Sequence, residues 1–184
     1  MRRLFLIAAA LCLAGPLAAQ QKTTVILVRH AEKAAEGGSD PAISPAGQAR
    51  ARILAAELAD DSVDAILVTR FVRTQQTAAP VAAARSLTPR VVAIDGGVEA
   101  HAAAVRQAVM EHAGHTVLIV GHSNTVPALV AALGGPAGIA IEEAEFGNLF
   151  TVTLEDGKPP VFTRACFGAA DPTGACAAPA STKF

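Results

Sequence analysis

The 184-residue chain contains no Trp and no Tyr, so its seven Phe are its only aromatic side chains. Without those rings it lacks the platforms on which bases and sugars usually stack. An excess of one charge is also missing. Fifteen Lys and Arg stand against 16 Asp and Glu, for a formal net charge of -1. That balance gives no reason to expect nucleic acid or an anionic membrane surface as a partner. Hydrophobic residues make up 52% of the chain, but alanine and the N-terminus carry much of that share. No apolar run has a comfortable transmembrane length.

What is present begins with an export pattern. Arg2-Arg3 form a positive start, Leu4 to Ala14 an apolar stretch, and Pro16-Leu17-Ala18-Ala19 a small-residue exit. This predicts a secretory signal over residues 1–19, cut near Ala19, with general and twin-arginine export both open. The mature chain is then periplasmic or secreted, without a stable membrane anchor. Cleavage removes Cys12 and leaves Cys166 and Cys176, an even pair expected to form a disulfide in an exported protein. Residues 20–184 read as one domain with an Ala/Pro/Gly-rich tail from about 168. Nothing in the sequence indicates an oligomeric state.

Within that domain three apolar runs end in chemistry. Val25-Ile26-Leu27-Val28 leads into Arg29-His30-Ala31-Glu32-Lys33. Ala65-Ile66-Leu67-Val68 leads into Thr69-Arg70-Phe71-Val72-Arg73-Thr74-Gln75-Gln76-Thr77-Ala78, and Val117-Leu118-Ile119-Val120 into Gly121-His122. Short aliphatic runs of this kind read as strands buried on both faces. A helix between them is announced by Ser44-Pro45, a capping hydroxyl followed by a proline at the first helical position. Ala46, Ala49, Ile53, Ala56 and Leu58 are its expected apolar face. Further helices are expected over about 74–85, 98–111 and 124–133, and further strands over 90–94, 148–154 and 161–166. The alternation predicts an α/β fold, a three-layer α/β/α sandwich around a mostly parallel sheet. Ligands in such sheets bind beyond the carboxyl ends of the strands, where the arginines and histidines fall.

Arg29-His30 with Glu32, Arg73-Thr74 with Gln76-Thr77-Ala78, and Gly121-His122, in this order, resemble the histidine phosphatase superfamily. The resemblance runs over roughly residues 24–154 and implies a phosphoglycerate mutase-like fold. It also implies a metal-independent phosphomonoester hydrolase without cofactors, acting on a small-molecule phosphate ester. His30 is the implied nucleophile, forming a phosphohistidine that water hydrolyses. The family's spacing selects Arg73 over Arg70 as the second arginine.

Arginine suits these positions because its planar fork can grip phosphoryl oxygens in pairs. Arg29 and Arg73 would also bias His30 toward the neutral form that attack requires. His122, protonated against phosphate, would stabilise transition-state charge. Lys33 is a further candidate for binding an anionic substrate. The general acid is open among Asp95, Glu32 and Glu99; Asp95 is favoured because it stands at the end of the 90–94 strand. An alternative is a weakly catalytic phosphate- or phospholigand-binding module on the same fold. His112 and His115 read as helix-end residues beside Gly114 rather than metal ligands.

Overall fold

The computed structural model describes residues 21–169 and Cys176; the expected signal segment and most of the tail lie outside the described residues. In chain order the elements are β1 (Lys22–Arg29), α1 (Pro45–Glu57), β2 (Val63–Val68), α2 (Val72–Arg85) and β3 (Arg90–Val91). Then come α3 (Gly97–Met110), β4 (Thr116–Gly121), α4 (Val126–Ala132), β5 (Asn148–Glu155) and β6 (Val161–Cys166). One six-stranded sheet runs in the order β3-β2-β4-β1-β5-β6. The first four strands are mutually parallel, so their carboxyl ends share one edge. β5 and β6 continue the sheet antiparallel.

The four central residues of β1 show why the sandwich has three layers. Successive strand side chains point to opposite faces. Val25 and Leu27 join the cluster that contains Val105 and Val109 of α3 and Leu129 of α4. Ile26 and Val28 join the opposite cluster, with Leu54 of α1 and Val81 of α2. All four are almost fully buried, each contributing about 1.5–3 kcal/mol of apolar transfer. That burial anchors β1 firmly behind the loop it carries.

Two local expectations need correction. In α1, Ser44 caps as expected, its Oγ accepting from the Gly47 N–H at 3.1 Å. The buried face, however, is Gly47, Arg50, Ala51 and Leu54, while Ala46, Ala49 and Ile53 are exposed. Arg50 is buried because it has partners: Nε and Nη2 meet Glu32 Oε1 at 2.9 and 2.8 Å. Its Nη1 donates to the Phe167 and Ala169 carbonyls. The third strand is also shorter than 90–94. Only Arg90 and Val91 pair with β2, and the chain then leaves this sheet edge for the turn at Ile94–Gly97. At the other edge, Cys166 at the end of β6 is bonded to Cys176 through sulfur.

Candidate active site

β1 and β4 lie side by side with Arg29 opposite Gly121, and the His30 N–H donates to the Gly121 carbonyl at 2.9 Å. This register alone brings the two strand-end histidines together. The His30 and His122 rings stand edge to face with centroids 5.3 Å apart. Gly121 is needed at the junction, since a Cβ there would lie 2.9 Å from Thr125 Oγ1 and 3.0 Å from Val126 Cγ2. β2, on the other side of β4, delivers Thr69 and the first turn of α2.

The residues of that turn fasten the neighbouring loops. Thr77 Oγ1 donates to the Arg73 carbonyl and accepts from the Ala31 N–H at 3.0 Å, tying α2 to the residue after His30. Gln76 Oε1 accepts from the Ile43 N–H at 2.8 Å. Asp40 takes the Val72 N–H and lies 3.4 Å from Arg73 Nη1. Arg73 also stacks on Phe71, its guanidinium carbon 4.3 Å from the ring centroid. Its Nε is buried without a hydrogen-bond partner among the described residues. Arg70, by contrast, is 60% exposed and pairs with Asp95. Arg29, His30, Lys33, Arg73 and His122 therefore line one cavity of about 250 Å³, and Arg70 and Asp95 do not.

The protonation of His30 follows from its partner. Nδ1 lies 2.8 Å from the Ala31 carbonyl oxygen. A carbonyl oxygen can only accept, so Nδ1 carries the hydrogen and the neutral ring keeps its lone pair on Nε2. Burial lowers the His30 pKa to about 4; the Ala31 hydrogen bond opposes this, and Arg29, Arg73 and Lys33 add to it. The arginines thus act as expected, but burial is the larger cause. His122 is lowered further, to about 3, by burial first and then by His30, Arg73, His101 and Arg29. At neutral pH His122 is therefore a neutral ring. Its Nε2 lies 3.0 Å from Thr69 Oγ1, which in turn meets Thr74 Oγ1 at 3.0 Å. Behind it, buried His101 donates from Nδ1 to the Ala93 carbonyl.

Arg29 does more than the sequence suggests. It is 2% exposed, and its Nη1 donates to the carbonyls of Glu142, Glu143 and Glu145 at 2.8–3.0 Å. One nitrogen thus clamps the loop between α4 and β5, and Nη2 meets Glu143 Oε2 at 3.1 Å. Phe146 lies under the guanidinium, with the Arg29 carbon 4.2 Å from its centroid. Glu143 also lines the cavity, its Oε1 3.2 Å from Lys33 Nζ.

The candidate acids are dispersed. Glu32 is held by Arg50 and lines a different cavity, beside Ala46 and Ile53. Its two contacts to Arg50 turn the carboxylate toward α1, away from the role considered for it. Asp95 is 65% exposed in its pair with Arg70, although its neighbour Ile94 lines the cavity. Glu99 is exposed in the first turn of α3. Glu143, Phe146 and Asp40 escaped the sequence reading. For Asp40 and Phe146 no local signal exists. For Glu143 the only hint is the acidic run Glu142-Glu143-Ala144-Glu145 in a chain whose strand ends are basic. Among the described residues, no group of three or more His, Cys, Asp or Glu is gathered so as to hold a metal ion.

A family model for the histidine phosphatase superfamily (branch 1) matches residues 25–94, the segment from β1 through the Arg73 turn to Ile94. A search of curated proteins finds no match. Among solved structures, the protein histidine phosphatase SixA complexed with tungstate superposes with a TM-score of 0.64 at 23% identity, covering 78% of this chain and 96% of that one. YhfR from Bacillus stearothermophilus gives 0.61 at 20% identity, covering 83% and 96%. The phosphoserine phosphatase of Entamoeba histolytica with 3-phosphoglyceric acid gives 0.59 at 15%, covering 80% and 97%. These likenesses extend over the whole sandwich and show its phosphoglycerate mutase-like fold. Residues 25–94, which carry the Arg29-His30 strand and the Arg73 turn, thus match the histidine phosphatase superfamily, and the sandwich around them has the phosphoglycerate mutase-like fold.

Proposed function

We propose that the chain is a metal-independent phosphatase that hydrolyses a small-molecule phosphomonoester through a phosphohistidine on His30. The observation that carries this reading is the hydrogen bond from His30 Nδ1 to the Ala31 carbonyl. It fixes the ring, leaves Nε2 bare, and burial keeps that nitrogen unprotonated down to about pH 4. Attack by the Nε2 lone pair forms an N–P bond as the ester P–O bond breaks, and the departing oxygen collects a proton at the solvent-facing mouth. Water then attacks phosphorus, the N–P bond breaks and phosphate leaves. Arg73 and one nitrogen of Arg29 hold the equatorial oxygens. His122 adds a hydrogen bond where charge develops, its orientation set by Thr69.

The test is hydrolysis of p-nitrophenyl phosphate with and without a chelator, combined with rapid quench of a labelled ester. Turnover should be insensitive to the chelator, with acid-labile, base-stable label on His30. Activity that needs an added divalent cation, or phosphate binding without turnover or label, would overturn the reading. The second outcome would leave a binding module in its place.

A further inference from the structure

The cations of the cavity already hold an anion, and it belongs to the chain. Glu143 Oε2 lies 3.1 Å from Arg29 Nη2 while Oε1 lies 3.2 Å from Lys33 Nζ. A carboxylate bridging two cations in a cavity with His30 has the shape and charge of two phosphoryl oxygens. Its backbone does not move freely, because Arg29 Nη1 pins the carbonyls at 142, 143 and 145. The side chain beyond that pin is 73% exposed. It has solvent to turn into and rotamers to turn through. Glu143 is ionised at neutral pH. Burial alone would raise its pKa, but Arg29 and then Lys33 outweigh that and hold it below the usual carboxylate range.

Two negative groups on the same nitrogens repel, so a phosphoryl dianion cannot take Arg29 Nη2 and Lys33 while Glu143 stays. Resting on the phosphoryl-binding reading above, we propose that Glu143 is an internal competitor for the anion subsite, displaced by each phosphoryl group that binds. Its side chain thereby sets the affinity of the cavity for phosphate. The same return of the carboxylate to Arg29 and Lys33 helps expel the phosphate product. This role differs from that of a general acid, which must be protonated before the ester bond breaks.

The experiment is calorimetric titration of inorganic phosphate into the full chain and into Glu143→Gln and Glu143→Ala, which needs no turnover. Occupation of the subsite by its own carboxylate lowers apparent affinity by the fraction of time the site is free. Removing that charge should tighten phosphate binding about five- to tenfold in both variants. Asp95→Asn removes the same charge from outside the cavity and should change the affinity much less. Equal affinity in wild type and both Glu143 variants, or an equal gain in Asp95→Asn, overturns the proposal and leaves the phosphoryl site standing. Phosphate binding in none of the proteins overturns both.

Discussion

The site has two walls built on different principles. One is the parallel sheet edge, where β1, β2 and β4 deliver Arg29, His30, Thr69 and His122, all nearly buried. The other is the segment from Glu142 to Phe146, whose carbonyls Arg29 binds and on whose Phe146 it stacks. On the first wall, position follows from strand register, and burial sets the protonation of both histidines. On the second, position is borrowed from a residue more than a hundred places earlier, and the side chain facing the cavity is free to turn. The group proposed to make the bond, which must be held at fixed geometry, sits on the rigid wall. The group proposed to yield sits on the compliant one.

If that division is right, substitutions on the sheet edge and at Arg73 in the first turn of α2 beside it should cost far more turnover than any on the compliant wall. His30→Ala should abolish hydrolysis and labelling, because it removes the bond-forming atom. Arg73→Lys and His122→Ala should each retain a measurable rate, reduced about 10²–10³-fold, the usual cost of losing one donor to transition-state charge. For Arg73 the loss arises because lysine keeps the charge but not the paired geometry. Steady-state kinetics on purified variants decide this, and full activity in His30→Ala would falsify the covalent mechanism.

The buried wall should also reveal itself in stability against pH. His30 and His122 titrate near 4 and 3 in the folded chain, while an unfolded histidine titrates near 6.5. Above about pH 6.5 neither state holds these protons, and folding bears no penalty from them. As pH falls from 6.5 toward 4 the unfolded chain takes them up and the folded chain does not, so stability drops. By pH 4.5 the loss should be on the order of 2–3 kcal/mol per histidine. Urea unfolding at pH 7 and 4.5 measures it. His122→Asn should reduce the drop by about half of the two-histidine contribution, and an unchanged drop would place the pH sensitivity elsewhere.

The contrast between the walls also explains what could be read from the chain. Val25 to Val28, Ala65 to Val68 and Val117 to Val120 are aliphatic runs that end in polar residues, a signal complete within ten residues. Their shared edge follows from strand–helix alternation, so the fold class and the meeting of His30, Arg73 and His122 were legible. The face of α1 was not, because Arg50 is buried by virtue of Glu32, 18 residues earlier, and of two carbonyls near the end of β6. Nor was the role of Glu143, whose partners Arg29 and Lys33 lie 114 and 110 residues away. Charged residues look solvated in sequence; only a tertiary partner makes burial affordable.

The smallest expected effect is also the sharpest test of where the walls end. Asp95 follows the third strand and stands between Arg73 and His122 in sequence, which on sequence alone makes it the favoured candidate for a general acid. Its carboxylate is nevertheless 65% exposed and 3.3 Å from Arg70, itself 60% exposed, and neither residue lines the cavity. An exposed ion pair of this kind is worth at most about 1 kcal/mol, and its loss should leave the cavity unchanged. Asp95→Asn should therefore alter turnover of an alkyl phosphate, whose leaving oxygen most needs a proton, by less than about twofold. A general acid would show the opposite pattern: a loss of about 10²-fold or more on the alkyl ester and a much smaller one on p-nitrophenyl phosphate, whose leaving group departs unaided. Measuring both substrates with the one variant separates the two cases. A selective loss on the alkyl ester would mean that the turn after β3 closes onto the substrate and forms a third wall of the site.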